Sequence, residues 1–289
     1  MPAKVTKIYD GTDPGGTPGR VFTASVGQEE IIQEDKFLDS LSMGMKGAVA
    51  TAAVAIETFA GLLSEYTLRV GPETRILANM RQLCALMKLF YGELPFIWEN
   101  TDATGNDFIG GVKIPVQTPA SADKPITHAA TRTAQTNIAT ETLAIYGYWD
   151  GEARGKKPVH AVRINHTTAG ATGYEALNQR IAPVGVLAGL IFQSATVFAD
   201  GVIATSLQRI LLFANGQRHS QFNLLSDHYG WSGRSVGVLD PMDDLMNVFN
   251  LIDLRGIGGI DAKGQELTLS LDVEDASDAI VILPVIEMA

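Results

Sequence analysis

Short apolar runs dominate this chain, and most of them carry the period of a strand. In Glu266-Leu-Thr-Leu-Ser-Leu-Asp-Val273 apolar and polar positions alternate without a break, the pattern of a strand with one face in a core and the other toward water. Ala48–Ile56, Ser64–Val70, Glu141–Trp149, His160–Asn165, Gln208–Ala214 and Ala279–Ile286 are rich in Val, Ile, Leu, Thr and Tyr and are bounded by Gly, Asn, Asp or Pro. Each is expected to be a strand. Asn215-Gly216, directly after an apolar run, predicts a tight turn.

Helical spacing is confined to a few places. Ile76, Met80, Leu83, Met87 and Phe90 follow one helix face, and Pro72 stands where a first helical turn accepts it. A helix is therefore expected from Glu73 to Tyr91. Shorter helices are expected at Ser220–His228 and at Asp240–Asn250, the latter capped by Asp240 and opened by Pro241. Many short strands with few helices point to a sandwich or barrel.

The two halves resemble each other. Tyr66-Thr-Leu-Arg-Val70 runs into the turn Gly71-Pro72-Glu73-Thr74-Arg75, then a helix closing on Phe90-Tyr91-Gly92. Ile210-Leu-Leu-Phe-Ala214 runs into Asn215-Gly216-Gln217-Arg218, then a helix closing on His228-Tyr229-Gly230. The strand and turn recur at an offset of 144 residues (214 − 70), so each half is expected to be one β unit with a helix in the same connection. The polar run Asp150-Gly-Glu-Ala-Arg-Gly-Lys-Lys-Pro158 reads as the break between them. Residues 1–30, with Gly11, Pro14, Gly15, Gly16, Pro18 and Gly19, read as an extended arm. The expected domains are this arm, a first unit over 31–153 and a second over 154–289.

Charge narrows the choice of partner. Against 22 basic residues stand 32 acidic ones, a formal net charge of −10, which argues against specific nucleic acid because phosphate binding needs clustered Lys and Arg. The longest basic cluster, Arg154-Gly-Lys156-Lys157, is short. Charged residues make up only 19% of the chain, a composition compatible with burial of surface in an assembly. No apolar leader opens the sequence. The uncharged stretch Ile181–Ala199 approaches membrane-spanning length, but Pro183, Gly185 and Gly189 interrupt it. It is expected to be a loop and two buried strands.

Candidate chemistry is sparse. Cys84, the single cysteine, lies in the apolar helical pattern and reads as a small core residue. His128, His160, His166, His219 and His228 are scattered, and no pair has the spacing of a helical zinc site. Gly230-Trp-Ser-Gly233 fails the spacing of a nucleophile elbow, and Gly256-Ile-Gly-Gly259 lacks the helix of a dinucleotide fingerprint. Acidic residues gather at Asp240, Asp243 and Asp244, and again at Asp272, Glu274, Asp275 and Asp278. The second group sits in a turn between two strong strands and is a weak candidate for a structural Ca²⁺ site; a solvated turn explains it as well. No other cofactor is expected, and no catalytic residue is assigned. Of the tryptophans, Trp149 is expected in the core, while Trp98 and Trp231 fit core or interface equally.

The strand–turn–helix repeats around Val70–Tyr91 and Ala214–Tyr229, the arm and the final C-terminal strand together resemble the double jelly-roll major capsid proteins of tailless, often membrane-containing icosahedral viruses. The resemblance is one of architecture across most of the chain. It implies a mainly β fold of two tandem eight-stranded jelly-roll sandwiches, each with a short inserted helix. It also implies a structural coat protein in the virion, assembled in the host cytoplasm as a homotrimer that forms a pseudo-hexagonal tile. The implied partners are neighbouring capsomers, penton or minor capsid proteins, and an internal membrane reached through the arm. A single jelly-roll capsid subunit with insertions and a carbohydrate-binding or adhesin β-sandwich remain open alternatives. The second would need aromatics clustered on one exposed face, and only 7% of residues are aromatic.

Overall fold

The computed structural model describes residues 4–10, 20–21, 26–30, 37–49, 56–93, 95–99, 107–119, 123–135, 138–150, 152–169, 173–194, 207–223, 250–273 and 279–289. The chain divides into two compact units, Met1–His160 and Ala161–Ala289.

In unit 1 the elements are β1 (Lys4–Asp10), β2 (Arg20–Val21), β3 (Val26–Glu30), β4 (Phe37–Val49), α1 (Ile56–Ala60), β5 (Leu63–Val70), β6 (Glu73–Ala78), α2 (Met80–Tyr91), β7 (Phe96–Glu99), β8 (Asp107–Pro119), β9 (Ile126–Arg132) and β10 (Ile138–Asp150). One sheet runs β1-β10-β4-β8-β7, with β2 continuing along β10, and the second places β3-β9-β5-β6 side by side. Leu41, Met43 and Met45 of β4, Val112 and Ile114 of β8 and Leu143 and Ile145 of β10 are all buried, as are Tyr66 and Leu68 of β5. The alternate residues of each strand thus fill the space between two sheets, the arrangement of a sandwich.

In unit 2 the strands are β11 (Val159–Val162), which straddles the boundary, β12 (Ile164–Thr167), β13 (Gly173–Ile181), β14 (Gly185–Ser194), β15 (Leu207–Ala214), β16 (Gln217–Asn223), β17 (Asn250–Asp253), β18 (Ile260–Asp261), β19 (Leu267–Val273) and β20 (Ala279–Met288). One sheet carries β17-β14-β20 with β12 on β20, and the other carries β13-β19-β15-β16. β17 and β18 lie end to end along β14, against Gly189–Phe192 and Val186–Leu187 respectively. Leu187, Leu190, Ile210, Leu212, Leu269, Leu271, Ile280 and Ile282 belong to one buried cluster between these sheets.

The order of strands is the same in both units. Taking β1, β3, β4, β5, β6, β8, β9 and β10 as first to eighth, unit 1 has the sheet orders first-eighth-third-sixth and second-seventh-fourth-fifth. Taking β12, β13, β14, β15, β16, β17, β19 and β20 in the same way gives the same two orders. β5 and β15 match at an offset of 144 at both ends (207 − 63 and 214 − 70). A single jelly roll with insertions is thereby excluded, because the repeat is a complete second sandwich.

Several expectations need correction. The first helix starts at Met80, not Glu73, because Glu73–Ala78 pairs with β5 to make a hairpin. Pro72 therefore belongs to the hairpin turn. The helix begins where Asn79 and Gln82 form a reciprocal capping box: Asn79 Oδ1 accepts from the Gln82 amide and Gln82 Oε1 from the Asn79 amide, both at 2.9 Å. Gly92, at φ 71°, closes it. The start expected at Ser220 is likewise strand, since β16 pairs with β15 through Asn223; residues 224–228 and most of the helix expected at 240–250 lie outside the described residues, and Asn250 opens β17. Of the strand expected at Ala48–Ile56, Ala48 and Val49 belong to β4, 50–55 lie outside the described residues, and Ile56 starts α1, whose Phe59 packs on Phe108 at 6.1 Å between ring centroids. Ile181–Ala199 contributes the end of β13 and one central strand, β14, up to Ser194; 195–199 lie outside the described residues.

The segment 1–30, expected as an arm, supplies strands to both sheets of unit 1. Lys4–Asp10 pairs with Ala144–Trp149, and Val26–Glu30 pairs with β9. The expected linker is also tied down. Arg154 pairs with Asp150, Lys156 forms an ion pair with Asp39, and positive φ at Arg154 and Gly155 turns the chain. The boundary accordingly falls at His160 and not at residue 153.

Candidate functional site: end strands and exposed faces

Of the four acidic residues that suggested a Ca²⁺ site, only Asp272 lies among the described residues. Asp272 stands on β19 between Tyr174 of β13 and Arg209 of β15. Its Oδ2 lies 3.6 Å from Arg209 Nε, and Arg209 Nη1 donates to the Tyr174 hydroxyl at 3.4 Å. Asp272 is thus one member of a cross-strand polar row. Glu274, Asp275 and Asp278, like Asp240, Asp243 and Asp244, lie outside the described residues. Among the described residues no three His, Cys, Asp or Glu side chains converge as a metal-holding group.

The histidines go to separate surroundings. His128 is buried on β9, its ring centroid 6.3 Å from that of Tyr66. His160 and His166 lie on separate strands, β11 and β12, because the run breaks at Arg163. His160 lies near Glu73 and Arg75, and burial is the main cause that lowers its pKa. His166 Nε2 meets Glu175 Oε2 at 2.8 Å, while Glu175 Oε1 accepts from the Ala169 amide. His219 contacts the Ser220 hydroxyl on exposed β16, and His228 lies outside the described residues. Cys84 is fully buried on α2, and burial pushes its thiol pKa well up, so it is a core residue and a poor nucleophile. Trp149 is in the core as expected.

α2 packs against β8 of one sheet and against β5 and β6 of the other. The Lys113 ammonium of β8 sits 4.2 Å above the Tyr91 ring at the helix end and 5.7 Å from Tyr148 of β10. These cation–π contacts hold the helix C-terminus against the first sheet.

What the described surface offers is apolar exposure on strand ends and turns. Phe96 is 60% exposed on β7, the end strand of its sheet, and Tyr174 is 54% exposed on β13, also an end strand. Ile257 is 72% exposed in the short 3-10 turn Arg255–Ile257. Such residues are contact anchors more often than catalytic ones. The sequence reading missed all three, because strand pattern alone does not tell which strand ends a sheet. No described helix is long and apolar enough to cross a membrane.

No family model matches the sequence, and no curated protein matches it. Solved structures do. The STIV MCP superposes with a TM-score of 0.68 at 9% identity, covering 100% of this chain and 97% of that one. VP54 of PBCV-1, fitted into a reconstruction of the virophage Sputnik, matches with a TM-score of 0.61 at 12% identity over 98% and 92% of the two chains. The major capsid protein P2 of bacteriophage PM2 matches with a TM-score of 0.57 at 11% identity over 99% and 98%. The chain has the double jelly-roll fold. At 9–12% identity the likeness lies in the path of the backbone.

Proposed function

We propose that this double jelly roll is the major coat protein of an icosahedral virus, a structural protein and not an enzyme. The observation that carries the reading is the match of the whole chain, both sandwiches in the same order, to the STIV MCP over 97% of that chain's length. The dispersal of the histidines and the burial of Cys84 fit a protein whose work is shape and contact area.

In this proposal three chains form a homotrimer whose six sandwiches make a pseudo-hexagonal tile. Tiles meet neighbouring capsomers and penton or minor capsid proteins in the virion, after assembly in the host cytoplasm. Closed cyclic symmetry is the usual way to bury matching side patches. An internal membrane would not be reached through residues 4–10 or 26–30, which are committed to sheets.

The test is solution mass by light scattering, followed by negative-stain imaging of the same sample. The expected result is a trimer of 30.9-kDa chains with hexagonal outlines, or closed shells. A monomer that never assembles at high concentration overturns the proposal and directs attention to a glycan-binding sandwich.

A further inference from the structure

The turn between β17 and β18 carries the most exposed large apolar side chain among the described residues, Ile257. The turn itself is firmly held. The Asp253 carboxylate accepts from the Arg255 amide at 2.9 Å and from the Arg255 guanidinium at 3.1 and 2.8 Å. Buried Leu254 donates its amide to the Ala188 carbonyl, and its own carbonyl accepts from the Ile257 and Gly259 amides. Gly258 and Gly259 supply positive φ values of 86° and 73°, and a Cβ at Gly259 would lie 2.4 Å from Val186 Cγ1. None of these interactions uses the Ile257 side chain. A firmly held backbone that presents an apolar side chain to solvent loses little entropy when a partner covers it.

Charge points to the partner. Gly185 pairs with Met288, Val186 with Asp261 and Ala214 with Leu267 at the end of unit 2 that holds this turn. Ser194 pairs with Ile280 and Arg209 with Asn223 at the other end, from which the chain continues into 195–206, 224–249 and 274–278. Those three segments hold eight acidic residues and one basic, whereas the described residues of unit 2 hold six of each. Copies of a chain with a net charge of −10 therefore meet least repulsion at the turn end. The exposed residues that follow Ile257 there include Asp261 and Lys263, one acid and one base two positions apart. A surface with an apolar centre, an acid and a base is its own complement under a two-fold rotation. Resting on the coat-protein reading, we infer that this turn is the contact by which two copies in different tiles join, Ile257 against Ile257, with Asp261 of each copy facing Lys263 of the other. The contact is small and weak singly, and a shell repeats it many times.

The experiment is disulfide trapping on the full chain, read on non-reducing gels beside light scattering. Cys84 is buried, so Ile257→Cys supplies the accessible thiol. Thr167→Cys, exposed at the other end of unit 2, is the control. The expected result is covalent dimers from Ile257→Cys at least about tenfold faster than from Thr167→Cys. Ile257→Asp should melt like the unaltered protein and keep its trimer mass, yet fail to form larger assemblies. Lys263→Glu should weaken assembly at low salt and lose that effect at high salt. Assembly of both variants at the unaltered rate, with no faster crosslinking at 257, overturns this inference and leaves the tile reading standing. Loss of the trimer itself in a folded Ile257→Asp puts the turn inside the tile and overturns the two-fold contact. Binding to phosphatidylglycerol vesicles that Ile257→Asp abolishes, with shells still forming, gives the turn to a lipid surface and overturns it as well. Unaltered protein that stays monomeric, with no crosslink at 257, overturns both readings.

Discussion

At Asn79 one side chain decides where a helix begins. Its carboxamide and that of Gln82 satisfy two amides that the first turn of α2 leaves without helical partners. Asn79→Ala is expected to cost about 1 kcal/mol and to lower Tm by roughly 2–4 °C in thermal unfolding. His160 supplies a different lever. Burial holds its pKa below the ordinary 6.5, so the unfolded chain takes up a proton that the folded chain resists. The contribution of His160 to stability is therefore complete above the unfolded value and declines as pH falls through the folded one. Melting curves from neutral pH to pH 5 should show a drop that is shallower in His160→Gln; identical slopes would remove His160 from the acid response.

The β5–β6 and β15–β16 hairpins solve one problem with two sequences. In the first, Gly71 has φ 58° and is followed by Pro72, whose ring fixes a negative φ, the pattern of a II′ turn. In the second, Asn215 and Gly216 have φ 50° and 75°, the pattern of a I′ turn. Both twist the way a hairpin requires, so replacing Gly71-Pro72 by Asn-Gly should leave stability within about 1 kcal/mol, measured by denaturant unfolding. A much larger loss would show that Pro72 contributes beyond the turn. This equivalence was legible in the sequence because turn chemistry is local. The helix boundary was not read correctly, because Ile76 of β6 happens to stand four residues before Met80 and extends the helical spacing into a strand. The Asn79-x-x-Gln82 signal was present and is the better guide. In β19, Leu267–Val273, the alternation is clean and was read correctly. In β4 and β14, Gly44, Gly47, Gly185 and Gly189 blur the period. Gly185 is there because an added Cβ would lie 2.0 Å from the Glu287 carbonyl oxygen, a crowding that no sequence pattern reveals. The candidate contact edges were hidden for a related reason: whether a strand ends a sheet depends on the whole set of pairings and not on the strand's own pattern.

For the whole molecule, charge and topology set the conditions of assembly. Copies that each carry −10 repel one another, and salt screens that repulsion beyond about 10 Å at 0.1 M. Association measured by light scattering should therefore tighten as salt rises from low ionic strength; weakening instead would mean that attractive ion pairs dominate the contact. Topology acts earlier. In unit 1 the strand made first, β1, pairs with the strand made last, β10, and in unit 2 β12 pairs with β20 in the same way. During translation, then, the first sandwich has no closing strand until the ribosome has delivered residue 150, whereas the β5–β6 hairpin needs only residue 78. Synthesis that pauses between those two points leaves an unfinished sheet exposed to its siblings on the same message. Each nascent chain is most vulnerable to mispairing just before it becomes a building block.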